Sequence, residues 1–189
     1  PISQTLINWF NLSGLRAKGY ESRADMKWSK MLTNLLANAT SAILNWTPAQ
    51  VYSHPLTWRI ELQQIREAME VMERMHIRLV DLPGTPVKPL MMLLKSLPSD
   101  LSRILIGAPL AKGRGAKMPS FHIDLYSGKT TSEVTFLNGA VSKYASKVGV
   151  QTPVNDGLCR LLEQIAAGQI AKEEFADQPE KLDQWLKRS

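Results

Sequence analysis

The sequence predicts an all-α protein, and three observations carry that prediction. Apolar residues recur at helical spacing almost throughout, as with Leu62, Ile65, Met69 and Met72. Strand signals are scarce, with residues 15–20 the one short segment that reads as extended. Proline and glycine fall mainly between the periodic segments, where they end one helix or open the next.

The elements follow in order. Residues 2–13 read as a helix stopped by Gly14, a usual left-handed C-terminal residue. Residues 25–44 form a long helical pattern without Gly or Pro, with Asp25 in the first turn, where a negative charge is favoured. Thr47-Pro48 reads as the N-cap and first position of a short helix ending at residue 53. Residues 55–78 make another long helix. Pro83, Gly84 and Pro86 then break the chain before a helix over about 87–97. Within it, Met91-Met92-Leu93-Leu94 suits a core helix or a subunit interface. Pro98-Ser99-Asp100 starts one more short turn. Residues 107–119 carry three glycines, two prolines and three basic side chains, and read as a mobile loop. Residues 120–126 and 132–148 are helical, the second ended by Gly149, and Thr152-Pro153 leads into a helix over 156–167. The tail, 179–187, is a polar amphipathic helix expected at the periphery.

The chain has 189 residues, 44% of them hydrophobic, enough for a core of ordinary size. Its single cysteine, Cys159, excludes an intramolecular disulfide framework and a thiolate zinc cluster. It sits among leucines and reads as a small buried hydrophobe. No apolar run approaches the roughly 18 residues of a bilayer span. A soluble cytoplasmic protein is expected, with no membrane partner. The first residue is Pro1 rather than methionine, which suits a fragment. The net charge of +6 is local: residues 14–30 and 112–129 each carry an excess of three, and elsewhere the charges cancel. The two segments are either solvated basic loops or, if they meet, an anion pocket.

Several motifs fail. Ser127-Gly128-Lys129-Thr130 imitates the end of a phosphate loop, but Ile123 stands where its first glycine belongs. Gly113-Arg114-Gly115 lacks the third glycine of a dinucleotide fingerprint. His54, His76 and His122 have no metal-ligand spacing, so no metal is expected and each histidine reads as a surface or packing residue. The tryptophans do not interleave with basic residues, so nucleic acid is not an expected partner.

One motif holds. Lys30, Asn34 and Asn38 lie at i, i+4 and i+8, which puts them on one face of a helix whose other residues are largely apolar. They are either exposed polar groups on a half-buried helix, or a polar stripe lining a cleft with the ammonium as proton donor or anion clamp. Glu133, near the start of a helix, is at least capping chemistry.

Taken in order, Trp28-x-Lys30-x-x-x-Asn34-x-x-x-Asn38, Pro119-Ser120, Gly128-Lys129, Ser132-Glu133, Asn138-Gly139-Ala140, Gly149-Val150 and Thr152-Pro153-Val154-Asn155 resemble the C-terminal domain of ketopantoate reductase (2-dehydropantoate 2-reductase). The likeness spans roughly residues 22–168. It implies a multi-helix domain similar to the C-terminal domain of 6-phosphogluconate dehydrogenase. Residues 1–21 would be a remnant of an NADPH-binding Rossmann domain, and residues 22–189 the substrate-binding and dimerisation domain of a possible homodimer. The implied reaction is NADPH-dependent reduction of 2-dehydropantoate, or a related 2-oxo acid, to the 2-hydroxy acid in pantothenate and coenzyme A biosynthesis. The fragment alone would be inactive.

By the same resemblance Lys30 is the catalytic lysine that protonates the ketone oxygen. Asn34 and Asn38 help hold the substrate, Ser120 contacts its carboxylate, and Glu133 orients substrate and lysine. The chain departs from the family in three places, one of them the unusually basic loop at 107–117. Thr135 replaces an acidic residue in the usual Thr-Glu-Ile-Asp, and Asn38-Ala39 replaces Asn-Pro. A non-catalytic helical interaction module of the same fold is the alternative reading.

Overall fold

The computed structural model describes residues 2–114 and 117–188, and all the regular structure among them is helical. The expected strand at 15–20 is absent. A lone extended segment has no neighbouring strand with which to share a hydrogen-bond ladder, and the one β-bridge joins Leu82 to Thr85 in a tight turn.

Helix α1 (Ile2–Leu12) precedes α2 (Arg23–Leu35), α3 (Asn38–Leu44), α4 (Pro48–Ser53) and the long α5 (Pro55–Arg74). Next come α6 (Val87–Ser96) and α7 (Ser99–Ser102), then a π-helical segment (Arg103–Gly107) that runs directly into α8 (Ala108–Arg114). Helix α9 (Ser120–Tyr126), a 3-10 turn (Glu133–Phe136), α10 (Asn138–Val148), α11 (Pro153–Ala166) and α12 (Pro179–Arg188) complete the chain.

Local chemistry sets many of these ends. The Ser22 hydroxyl accepts from Asp25 N at the start of α2. Thr47 and Gln50 form a reciprocal capping box ahead of α4. Gly149 closes α10 at φ 70°.

Helix α5 is the axis of the molecule. Its Leu62, Ile65, Met69 and Met72 join Trp28, Leu32 and Leu35 of α2, Met91 and Leu94 of α6, and Val141 and Ala145 of α10 in one buried cluster. Its Ile60 joins a second cluster with Ile43 and Leu44 of α3, Phe121 and Leu125 of α9, Leu158 and Leu162 of α11, and Leu182 and Leu186 of α12. Helix α12 is therefore anchored through one buried edge. Helix α1 contributes to neither cluster and exposes Trp9, Phe10 and Leu12.

Several further expectations change, and the helix read over 55–78 already ends at Arg74. The long helix over 25–44 is two helices, broken at Leu36–Ala37. The helix over 132–148 is a 3-10 turn followed by α10, with the break at Leu137. The loop expected over 107–119 is helical as far as Arg114. There, Gly107 is not a turn residue: a Cβ would lie 3.2 Å from the Trp58 ring and from the Tyr52 carbonyl oxygen, so glycine allows close packing. Pro109 lacks an N–H, and the wider π-turn just ahead of it absorbs that loss.

Candidate functional site

Helix α2 turns Trp28, Leu32 and Leu35 inward, which leaves Lys30 and Asn34 on its exposed side. Asn38 arrives differently from the expected ladder. Ala37 takes a left-handed conformation, φ 56°, and that kink starts α3 in a new direction. The kink is held from α5. One Glu61 carboxylate oxygen accepts Ala37 N at 2.6 Å, and the other accepts the Thr40 hydroxyl at 2.6 Å. Asn38 is consequently buried against α9, where its Oδ1 accepts Phe121 N at 3.1 Å and its Nδ2 approaches Ser120 Oγ at 3.5 Å.

Glu133 opens the 3-10 turn, whose start is capped by the Ser132 hydroxyl accepting Val134 N. Asn34, Asn38, Ser120 and Glu133 line one cavity of about 310 Å³. Phe121, Phe136 and Leu137 supply its apolar wall. Four of the five residues singled out from the sequence therefore converge, from four separate elements. Lys30 is not among the lining residues. It stands exposed one turn before Asn34 on the same helix, with its carbonyl accepting the Thr33 hydroxyl.

The two basic segments do not form this cavity: no Lys or Arg is among its described lining residues. Lys129 instead lines an adjacent cavity of about 650 Å³, which Glu133 and Phe136 also border. Lys129 is paired with Asp124 at 2.5 Å, and that bond holds its ammonium above the usual lysine range, with Glu133 adding to the effect. Lys18 is engaged elsewhere, by the Asp81 carbonyl.

The other singled-out residues are structural. Burial pushes the Cys159 thiol up to about 12, aided by Glu163, so it is a poor nucleophile. Its sulfur packs 3.0 Å from where a Cβ on Gly139 would sit, which makes the Asn138-Gly139 step a close-contact point between α10 and α11. His122 meets Asn45 Oδ1 and stacks on Tyr126, His54 packs edge-on to Trp46, and His76 is exposed. Among the described residues no three His, Cys, Asp or Glu cluster as metal ligands would.

Sequence reasoning missed a buried polar chain behind the cavity. Gln64 donates to Glu61 Oε2 and, more weakly, to the Leu35 carbonyl, and its own oxygen accepts from Asn138. Asn138 also donates to Asn155, and Asn155 donates to Glu67. Glu67 further accepts Val154 N and Asn155 N at the start of α11. Burial raises the Glu67 carboxyl above its ordinary range, and these bonds oppose the rise. The available signal was Glu61, Gln64 and Glu67 lying beside Leu62, Ile65 and Ala68 within the inward arc of α5.

The fold and this cavity define a multi-helix domain with one polar-lined cleft built from four separate elements. Residues 24–166 match the family model described as ketopantoate reductase PanE/ApbA C terminal, and the chain belongs to that family. A 2-dehydropantoate 2-reductase of Pyrobaculum aerophilum is 25% identical over 159 residues, which cover 84% of this chain and 50% of that protein. The chain thus spans about half the length of that relative. A PanE/ApbA family ketopantoate reductase from Ralstonia eutropha JMP134 has a similar fold (TM-score 0.67, 20% identity, 88% of this chain and 49% of that one). So does a D-mandelate dehydrogenase solved with NADH (TM-score 0.65, 22% identity, 88% of this chain and 50% of that one). Among the described residues, no helix is long and apolar enough to cross a membrane.

Proposed function

We propose that this chain is the substrate-binding part of an NADPH-dependent reductase that converts 2-dehydropantoate, or a related 2-oxo acid, to the 2-hydroxy acid in the cytoplasm. The observation that carries the reading is the convergence of Asn34, Asn38, Ser120 and Glu133 on one cavity, although Asn34 and Glu133 are nearly a hundred positions apart. Carboxamides and a hydroxyl suit a carboxylate and a ketone, which need hydrogen-bond donors, and the apolar wall suits the carbon skeleton.

Each side chain has a task in this reading. Asn34 and Ser120 donate to the substrate. Asn38 holds Ser120 and the start of α9 in place, and Glu133 orients both the substrate and the Lys30 ammonium. Reduction of a ketone develops negative charge on its oxygen. The ammonium of Lys30, swung along α2 toward Asn34, neutralises that charge and supplies the proton.

The redox chemistry itself belongs to the cofactor. The described residues do not fit a dinucleotide, because they contain neither a parallel sheet nor a glycine-rich turn between strand and helix. NADPH is assigned to a nucleotide-binding domain ahead of residue 22, and a homodimer is part of the same reading.

The test is NADPH oxidation with 2-dehydropantoate by the gene product that carries this chain with its nucleotide-binding domain. Lys30→Ala is expected to lower kcat by about 10²–10⁴-fold, and residues 1–189 alone to oxidise no NADPH. Unchanged turnover in Lys30→Ala would remove the proton-donor role.

A further inference from the structure

Two cavities share an edge at the 3-10 turn. Glu133 and Phe136 border both the cavity of about 310 Å³ that holds Asn34, Asn38 and Ser120 and its neighbour of about 650 Å³. The backbone of that turn is fixed. Val134 is fully buried, Leu137 N donates to the Val134 carbonyl at 3.1 Å, and Leu137 packs against both buried clusters. The Phe136 side chain is not fixed in this way: it is 77% accessible and belongs to neither cluster. Its ring can therefore change rotamer without disturbing the turn. It is a large apolar group that the core does not use, placed where the two cavities adjoin.

The larger cavity has a chemistry of its own. Ala166 and Ala167, at the end of α11, offer it only small side chains. Thr130, Thr131 and Thr135 bring hydroxyls, none of which bonds to another described residue. Lys129, the one cation among its described lining residues, is paired with Asp124, while Glu133 and Glu163 add two further carboxylates. That balance of charge disfavours a second carboxylate on a ligand. The hydroxyls suit a neutral group that both donates and accepts hydrogen bonds.

We propose that the larger cavity is a subsite for the substrate's side chain, with Phe136 as the partition that sets how far the substrate extends. The class it takes is monocarboxylic 2-oxo acids, longer than 2-dehydropantoate, whose side chain ends in a hydroxyl. The 2-oxo acid head stays with Asn34, Ser120 and Glu133, and the side chain runs past the Phe136 ring toward Thr135. This rests on the reductase reading above and specifies its substrate class.

The test is NADPH oxidation by the gene product that carries this chain with its nucleotide-binding domain. The substrates are 2-dehydropantoate and three acids of equal chain length, 6-hydroxy-2-oxohexanoate, 2-oxohexanoate and the dicarboxylic 2-oxoadipate. Among the three, kcat/KM is expected to be highest for the hydroxy acid and lowest for the dicarboxylate. Phe136→Ala is expected to raise the kcat/KM ratio of 6-hydroxy-2-oxohexanoate to 2-dehydropantoate at least about tenfold. Thr135→Val should lower the ratio of 6-hydroxy-2-oxohexanoate to 2-oxohexanoate by about three- to tenfold. Ratios within one variant are indifferent to a general loss of folded enzyme. Reduction of 2-dehydropantoate with both ratios unchanged in the variants would overturn the subsite and leave the reductase reading standing. A preference for 2-oxoadipate would do the same, as would a Phe136→Ala variant altered only in its KM for NADPH. Failure to reduce any of the four acids would overturn both.

Discussion

Asp25 is almost fully buried at the start of α2, yet it is charged, because Arg78 meets it twice. Asp25 Oδ1 accepts Arg78 N at 3.1 Å, and Oδ2 accepts Arg78 Nε at 3.2 Å. The backbone bond is the larger reason that its carboxyl lies below the ordinary aspartate range, with burial pulling the other way. A depressed folded-state pKa means that the stabilisation is present above the unfolded value, about pH 4, and is lost as pH falls through the folded value. Urea unfolding from pH 6 downward should therefore show stability falling below about pH 4, with a shallower fall in Asp25→Asn. Equal slopes in the two proteins would show that Asp25 carries no such linkage. At this scale the sequence was partly legible. Asp25 could be placed in a favoured first turn because it opens the long helical pattern, but its principal partner lies 53 residues away and left no local sign.

At the scale of elements, the legible helix ends are those that use neighbouring residues. Ser22, Thr47-Pro48 and Gly149 all act within a few positions, so their chemistry can be read along the chain. Gly149→Ala isolates one such end. A Cβ there would meet nothing within 4 Å, so the cost is that of a left-handed backbone alone. A loss of about 1 kcal/mol in denaturant unfolding is expected, and no loss would mean that the Gly149 conformation is not maintained in solution. The ends that escaped reading are set from elsewhere. Leu35-Leu36-Ala37 contains good helix formers and gives no hint of a kink, because the kink is stabilised by Glu61 on α5. Likewise α11 begins at Pro153, and its first N–H groups are taken by Glu67 rather than by the preceding Thr152. Gly107, Pro109 and Gly113 resemble loop punctuation, yet packing against α4 and Trp58 keeps their segment helical.

Across the whole molecule, the buried chain from Glu61 through Gln64 and Asn138 to Asn155 and Glu67 couples the α2–α3 side of the cavity to the α10 side. Asn138→Ala should strand the acceptors of Gln64 and Asn155 and cost about 2–4 kcal/mol in urea unfolding. A cost below about 0.5 kcal/mol would mean that the chain does not hold these helices together. The sequence by itself determined the helical class, most helix positions and the family, and by resemblance it singled out Lys30, Asn34, Asn38, Ser120 and Glu133, since periodicity, caps and ordered motifs are written along the chain. Only the tertiary structure decided how those residues meet. It turned Asn38 onto α9 through a kink rather than a continuous helical face, and it left Lys30 outside the cavity lining. It also separated the basic segments from that cavity and left one apolar helix face uncovered. The physical reason is range: helical periodicity and most capping act within a turn or two, whereas a cavity is made by partners tens of residues apart.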